Sequence, residues 1–375
     1  MYVAHLTLHN FRSYSDLDLE LPSGPVSFVG SNGQGKTNIV EAIDYLARLG
    51  SHRVAADAAL VRAGEQQAVV RAAVDKAGRR AVLEVEINPG RSNRAKVNRA
   101  ALPRARELVG LLRSVVFSPE DLALVKGDPS ERRRFLDDLL VLLTPRYAGT
   151  KADYDRVLKQ RNSLLKTARV TGRSSAAIDT LAVWDANLAR LGAEIIQRRF
   201  AAVTALLPEV ATAYAAVAKG ARVDDAGLTY RSVVSQVGPE SSVPDIEAAM
   251  LSDLEHRRND ELDRAITLVG PHRDDLLLNL GPLPVKGYAS HGESWSFALA
   301  LRLASYEVLK ADGDDPILIL DDVFAELDVT RRDHLATLVV DAEQVLVTAA
   351  VADDVPEALA GTRFVVADGS VTRVG

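Results

Sequence analysis

Apolar and polar positions alternate from the first residues of the chain. In residues 1–21, Val3, Leu6, Leu8 and Phe11, and then Leu17, Leu19 and Leu21, predict two strands around a turn at residues 10–16. Residues 69–74 and 81–87 predict a further pair, joined at Asp75-Lys76-Ala77-Gly78. Between these pairs, Pro25-Val26-Ser27-Phe28-Val29 predicts a short strand, and Ile39, Val40, Ile43, Leu46 and Ala47 follow at helical spacing. Residues 88–99, rich in Asn, Arg, Gly and Pro, predict an exposed turn.

From about residue 119 to 264 the period changes to that of long helices. Asp128-Pro129-Ser130-Glu131 has the signature of a helix start: an Asp cap, Pro at the first helical position and Glu three residues after the cap. Tyr154, Val157, Leu158, Arg161, Leu164 and Leu165 trace one helical stripe, and Trp184, Leu188, Leu191 and Ile195 another. After Thr267 strands and helices alternate again to the end. A chain of 375 residues is long enough for two cores. The expected fold is therefore α/β, with a discontinuous nucleotide-binding domain (1–115 and 265–375) and an inserted, mainly helical lobe (116–264). There is no heptad tract, repeat or low-complexity run in that lobe, so a long coiled coil is excluded and a short helical hairpin is not.

The chemistry begins after the strand at residues 25–29. Gly30-Ser31-Asn32-Gly33-Gln34-Gly35-Lys36-Thr37 fits G-x-x-x-x-G-K-[ST], the nucleotide-binding P-loop. Its glycines let backbone N–H groups face inward, and the N-terminus of the next helix favours a polyphosphate. Lys36 is placed to reach the β- and γ-phosphates, and Thr37 to put its hydroxyl on Mg²⁺. Far downstream, the apolar run Ile317-Leu318-Ile319-Leu320 ends in Asp321-Asp322, the pattern of a buried parallel strand with carboxylates at its tip. Asp321 is the candidate metal carboxylate and Asp322 the candidate for orienting the attacking water. Lys36, Asp321 and Asp322 form the candidate catalytic set.

Composition narrows the setting. There are no cysteines, which rules out disulfides, zinc–thiolate sites and thiol catalysis. No secretory signal and no apolar run long enough to span a bilayer is evident, so a cytoplasmic, nucleoid-associated protein without a membrane partner is expected. The formal charge is −6 overall, yet residues 91–173 hold 19 Lys and Arg against 9 Asp and Glu, a net +10 that leaves −16 for the rest. Such asymmetry points to a polyanion partner for one region. Arg94, Lys96, Arg104, Arg106, Arg132 and Arg133 are the DNA-binding candidates. A solvated face with internal salt bridges is the competing reading, and three consecutive arginines (132–134) cannot all share one helix face.

Ser290-His291-Gly292-Glu293 precedes a strongly helical run from Trp295 to Leu303. Alone, Ser290 with Glu293 is a capping box. Order along the chain gives it a second reading, because it comes 31 residues before Asp321 and is followed by Ala325-Glu326-Leu327-Asp328. P-loop, serine-glycine helix, acidic strand end and a following Asp loop, in that order, resemble the ATP-binding-cassette (ABC) superfamily. Its SMC-like DNA-repair branch is indicated by the long insert and by Leu8-His9-Asn10-Phe11-Arg12-Ser13-Tyr14. Within that branch the chain resembles the RecF family. The resemblance is carried by Phe117-Ser118-Pro119-Glu120-Asp121-Leu122, Arg132-Arg133-Arg134-Phe135-Leu136-Asp137, Gln160-Arg161-Asn162-Ser163-Leu164-Leu165-Lys166, Gly270-Pro271-His272-Arg273-Asp274-Asp275 and Leu320-Asp321-Asp322-Val323-Phe324-Ala325-Glu326-Leu327-Asp328.

The resemblance implies an ABC-type ATPase head that dimerises around two ATP molecules and binds duplex DNA and single/double-strand junctions. It further implies slow, DNA-dependent ATP hydrolysis and cooperation with RecR and RecO in loading recombinase at single-strand gaps. Carried over by position, Gly30 through Asn38 bind ATP with Mg²⁺ on Thr37 and Asp321. Ser290, Gly292 and Glu293 contact the partner's ATP, and Arg12 is a phosphate or base contact. Departures from the superfamily pattern are Asp322 and Glu293, where Glu and Gln are usual, and Thr348, where a switch histidine often stands. Gln66 and Gln67 both lie in the interval of the Q-loop. A transporter ATPase is disfavoured because Ser290 lies 254 residues beyond Lys36. A small-molecule kinase needs no Ser290 or Asp328, and a non-hydrolysing DNA clamp stays compatible with Asp322.

Overall fold

The computed structural model describes residues 1–54, 56–171, 175–218 and 225–374. The N-terminal alternation becomes a six-stranded antiparallel sheet in the order Tyr14–Glu20, Tyr2–Phe11, Ala68–Lys76, Arg79–Ile87, Arg94–Val97, Ala100–Ala101. Val3, Leu6 and Leu8 are all buried although strict alternation would separate an odd from two even positions. A register shift between Val3 and His5 resets the phase, as a β-bulge does. The strands reach Phe11 and resume at Tyr14, so the turn is shorter than the predicted 10–16, and Arg12 takes φ 54° within it. Residues 88–99 are not simply a turn. Arg94–Val97 pairs with Arg79–Ile87, and Asn98 holds the hairpin by accepting from Val82 N at 2.8 Å.

The second sheet also has six strands, ordered Ser370–Val374, Thr362–Ala367, Gly24–Val29, Gln344–Ala349, Ile317–Asp321, Ser114–Phe117. All neighbours are parallel except the hairpin formed by its last two strands in the chain. Ile317–Asp321 is buried at every position, as a central parallel strand must be. Strands from both ends of the chain are interleaved here, and that interleaving assembles the site.

The chain divides into two compact units, one of Met1–Ala123, Glu209–Asp224 and Ser290–Gly375, the other of Leu124–Pro208 and Asp225–Ala289. The boundaries expected at 115/116 and 264/265 therefore shift. Ser114–Phe117 belongs whole to the parallel sheet, so the first cannot fall inside it. Asp275–Leu280 pairs along its length with Ala226–Arg231, which keeps residues 265–289 in the second unit. That unit is mainly helical, with Pro129–Leu143, Tyr147–Thr171, Val243–His256 and the first part of Ser175–Val217. It also carries a three-stranded antiparallel sheet that periodicity did not reveal. Leu165, Ala168, Leu181 and Leu262 form one apolar cluster within it. Beside it Arg161, fully buried, donates to Asp185 at 2.7 Å, Glu261 at 2.6 Å and Thr267 at 2.9 Å. A buried arginine is tolerable only when paired in this way.

Thr180–Val217 is, by length and composition, apolar enough to cross a membrane, which the sequence reading had not found. Its apolar residues nevertheless form a stripe: Ala202, Val203, Leu206, Val210, Ala213, Tyr214 and Val217 are buried, and Thr204, Ala205 and Thr212 are exposed. That is the pattern of a helix packed on a protein core.

Candidate functional site

The P-loop leaves the end of Gly24–Val29 and runs into the helix Lys36–Arg48. Gly30 has no room for a side chain, since a Cβ there would stand 2.1 Å from the carbonyl oxygen of Val366. Gly33 and Gly35 take φ of 84° and 105°, a region that side chains disfavour. Ser31, Asn32 and Gly33 are exposed, as a loop that receives a ligand requires. Gln34 accepts from Asp368 N at 2.7 Å, which ties the loop to the C-terminal hairpin. Lys36 is buried and donates to the carbonyls of Gly30 at 2.7 Å and Ser31 at 3.2 Å. Its ammonium thus folds back over the loop, at the position from which phosphates would draw it.

Thr37 Oγ1 donates to Asp321 Oδ1 at 2.8 Å across 284 residues of sequence. The same oxygen accepts from Thr348 Oγ1 at 2.7 Å, and Thr348 Oγ1 accepts in turn from Asp322 N at 2.9 Å. Thr348, which stands where a switch histidine was expected, therefore braces both aspartates. Asp322 takes φ 51°, a left-handed conformation held by this bond at the strand end. Burial pushes the Asp321 carboxyl above its ordinary range, against the pull of the Thr348 and Thr37 hydroxyls. The donor set fits Mg²⁺: a hydroxyl and a carboxylate are hard oxygen ligands, and a cation would relieve the cost of the buried charge. Among the described residues no group of three or more His, Cys, Asp or Glu could hold an ion alone. This suits a cation completed by phosphate oxygens and water.

Behind this pair lies a second layer that the sequence reading missed. Glu41 and Asp44 are completely buried on the P-loop helix, among Ile39, Val40, Ala42 and Ile43. Two carboxylates inside an apolar run require partners, and that was the overlooked signal. Glu41 accepts from Arg12 at 2.6 and 2.9 Å and from Ser51 Oγ at 2.5 Å, with Arg53 at 3.4 Å. Arg12, expected at a phosphate or base, also donates to the Ala59 carbonyl at 2.9 Å, so its guanidinium serves the fold. Asp44 accepts from Arg48, from Ser114 Oγ at 2.8 Å and from His52 Nδ1 at 3.2 Å. Although burial alone would raise its carboxyl, Arg48 and His52 hold it far below the usual range. Asn38 donates to Ser13 Oγ at 2.9 Å at the helix start. Gln66 and Gln67 are exposed just before Ala68–Lys76.

Ser290 caps the helix His291–Ala311, accepting from Glu293 N at 3.2 Å, while the Glu293 carboxylate accepts from Ser290 N at 2.7 Å. Both halves of the capping box are formed, and the Ser290 hydrogen bonds lower the Glu293 carboxyl. Glu293 is thus already engaged, where a contact to a partner's ATP was expected. Arg331 lies against Gly292, at which a Cβ would stand 2.8 Å from its guanidinium, and it donates to Ser296 Oγ at 3.1 Å. It also pairs with Asp328, whose side chain caps the helix Val329–Val339 by accepting from Arg331 N at 2.9 Å. The serine-glycine helix and the Asp loop are fastened together through this one arginine.

The basic candidates separate. Arg94, Lys96, Arg104 and Arg106 are exposed, Lys96 on Glu84 at 2.7 Å and Arg94 near Glu86 at 3.8 Å. Arg132 is buried and makes a two-pronged pair with Asp275 at 2.8 and 3.1 Å, so it is no DNA contact. Arg133 is half-buried and donates to the Asp274 carbonyl at 2.7 Å. The 270–275 motif is likewise structural: Asp274 accepts from Tyr230 OH at 2.5 Å and Val233 N at 2.8 Å, and the Pro271 carbonyl accepts from Arg199 at 2.7 Å.

Comparison with known proteins agrees with this arrangement. Residues 2–369 match the family model described as the RecF/RecN/SMC N terminal domain. The DNA replication and repair protein RecF of Nocardioides sp. is 62% identical over 100% of both chains, and that of Frankia alni is 59% identical over the same share. A solved structure of the recombination mediator protein RecF with ATP, in the RecFOR pathway, superposes with a TM-score of 0.90 at 28% identity, covering 100% of this chain and 98% of that one. The SMC head of Pyrococcus furiosus bound to the C-terminal domain of ScpA shares the fold, with a TM-score of 0.55 at 17% identity over 100% and 96%. The architecture is that of an ABC-type ATPase head, and the chain belongs to the RecF family.

Proposed function

We propose that this protein is an ATP-gated, DNA-binding ATPase of recombinational repair, acting as a homodimer with RecR- and RecO-type mediators. The observation that carries the reading is the meeting of Thr37 with Asp321, which joins two motifs from opposite ends of the chain into one phosphate-and-metal site. Its relatives are DNA replication and repair proteins, and a structurally similar one is a mediator that holds ATP.

In this reading bound ATP supplies a phosphoanhydride to be cleaved and carries Mg²⁺. The chain's own residues do the rest. Loop N–H groups and Lys36 bind the phosphates, Thr37 and Asp321 hold the cation, and Asp322 orients water. Asp322 is one methylene shorter than glutamate, so turnover is slow. Ser290 presents a helix N-terminus to the ATP of a second copy, and the dimer closes only with nucleotide. The exposed Arg94, on a strand of the antiparallel sheet, and Arg104 and Arg106, at the helical turn that follows its last strand, meet duplex DNA.

The test is phosphate release with and without duplex DNA, beside binding of a fluorescent ATP analogue. Wild type is expected to bind nucleotide and release phosphate slowly, faster with DNA. Lys36→Arg is expected to keep its unfolding transition and lose turnover. Wild-type release by Lys36→Arg would remove the P-loop from the mechanism.

A further inference from the structure

The helical unit holds an open groove of about 510 Å³ that lies outside the nucleotide site. Its lining comes from the helices Pro129–Leu143, Tyr147–Thr171 and Ser175–Val217 and from Pro271 and His272. Tyr154, Ile195 and Pro271 lie buried in it, while Ser130, Arg134 and Ala152 are exposed. An apolar floor inside a polar rim is the anatomy of a protein interface, whereas a small-molecule site encloses most of its ligand. Every lining residue lies within one compact unit, so the groove stands whether or not the nucleotide reading holds.

The charges along this lining do not balance. Asp137 accepts from Arg199 at 2.9 and 3.0 Å, Asp155 accepts from Lys151 at 2.6 Å, and Asp138 lies 3.8 Å from Arg134. Each of the three carboxylates has a cation of its own, and Arg133 is a fourth cation. His272 adds no charge, since burial holds its pKa at about 4. The other carboxylates whose field Arg133 feels are committed elsewhere: Asp275 to Arg132, and Asp274 to Tyr230 OH and Val233 N. Among the described residues its guanidinium makes one hydrogen bond, to the Asp274 carbonyl at 2.7 Å, and the rest of its donor fork has no partner. Burial and the like charge of Arg199 both weigh against its charged form. An anion arriving from outside would relieve that cost.

We propose that this groove docks an acidic segment of a partner protein, seating one Asp or Glu carboxylate on Arg133 and an adjacent apolar side chain on the floor formed by Tyr154 and Ile195. A planar carboxylate matches two N–H groups of a guanidinium, and one negative charge cancels the one unpaired cation. A phosphate group alone would leave the apolar floor uncovered. A duplex would bring many phosphates to a wall whose other cations are already paired, and there Asp138 and Asp155 would repel them. Charge complementarity of this kind selects partners and fixes their register.

The experiment uses the full chain and two sets of fluorescently labelled pentapeptides, capped at both ends so that the side chain is the only carboxylate. One set has a central Asp or Glu flanked by Leu, Ile, Val or Phe, and the other has Asn or Gln in its place. Fluorescence anisotropy is expected to show the acidic peptides binding wild type about tenfold more tightly than their amides, the scale of a hydrogen bond to a charged group. Arg133→Gln keeps an amide N–H for the Asp274 carbonyl and is expected to erase that preference. Ala152→Trp fills the groove from its exposed rim without changing its charge, and is expected to weaken binding of both sets. If Arg133→Gln does not fold, Ala152→Trp carries the test alone. A preference that survives in Arg133→Gln overturns the assignment, as does binding that Ala152→Trp leaves unchanged. Equal binding of the two sets by wild type, or no binding at about 1 mM, overturns it as well. Displacement of the peptide by a short duplex that itself binds Arg133→Gln less well than wild type would make the groove a DNA contact instead.

Discussion

Arg132, Arg133 and Arg134 are neighbours in sequence and occupy three different environments. Arg132 is buried against Asp275, Arg133 is half-buried with a guanidinium destabilised by burial and by Arg199, and Arg134 is exposed near Asp138 at 3.8 Å. Removing one member of a buried pair strands the other, so Arg132→Ala is expected to cost about 3 kcal/mol in urea unfolding. The folded fraction should still bind DNA normally. Arg104→Ala should do the reverse, leaving stability within about 0.5 kcal/mol and lowering DNA affinity, with the salt slope reduced by about one. Loss of DNA binding in Arg132→Ala with unchanged stability would reverse these assignments. His272 carries a separate pH effect. Burial lowers its pKa from 6.5 to about 4, with Arg273, Arg133 and Arg161 adding to the shift and the Thr267 carbonyl opposing it. Its Nε2 lies 3.2 Å from that carbonyl and its Nδ1 2.7 Å from Tyr154 OH, so the neutral ring is satisfied on both sides. The unfolded chain therefore takes up the proton first. The contribution of His272 is complete above its ordinary pKa and is lost as pH falls toward 4. Unfolding measured from pH 6.5 to 5 should show a decline of up to about 2 kcal/mol from this residue. The decline should be absent in His272→Gln.

The helix His291–Ala311 poses the same question at the scale of an element, because Ser290 has two readings. As a cap it contributes about 1 kcal/mol, and alanine would forfeit that together with any role at a partner's phosphate. Aspartate separates them. It caps a helix as well as serine does, but it brings a negative charge to the place the γ-phosphate would take. Ser290→Asp is expected to melt with wild type, bind ATP as a monomer and fail to dimerise. If it dimerises normally, Ser290 is a cap and nothing more. The motifs of this site were legible because each needs a fixed local pattern: glycines at the turns, Lys36-Thr37 at a helix start, and an apolar strand ending in Asp321. What the sequence could not show were pairings made at a distance. Thr348 was read as a missing histidine, while in the fold it braces Asp321 and Asp322. His52 carried no signal, because only the fold brings it between Asp44 and Asp321. The strand Ala226–Arg231 was hidden for a like reason. It is six residues long and gains its identity only by pairing with Asp275–Leu280. Arg132 was misread because a charge pattern does not reveal which face of a helix a core will cover.

At the scale of the whole molecule, a chain of formal charge −6 has to hold a polyanion. Net charge sets the long-range field, but affinity for DNA comes from the cations that replace counterions at the phosphates. Arg99, Arg104 and Arg106 are exposed and without an ion pair among the described residues, along the hairpin and turn at one edge of the antiparallel sheet. A single copy offers a small cluster there, against an acidic remainder. Two copies would double it, so DNA binding should depend on assembly, and assembly on nucleotide. Light scattering on the 40.4 kDa chain should give a monomer alone and twice that mass with Mg-ATP, and the dimer should bind a short duplex. Affinity should fall steeply with salt, with a logarithmic slope of about 0.9 per phosphate contacted. A slope near twice that of the monomer would mean that both copies touch the duplex. A mass indifferent to ATP would discard the gated dimer and leave Ser290 a helix cap. A dimer that forms with ATP but binds DNA no better than the monomer would keep the nucleotide site and place the DNA surface elsewhere.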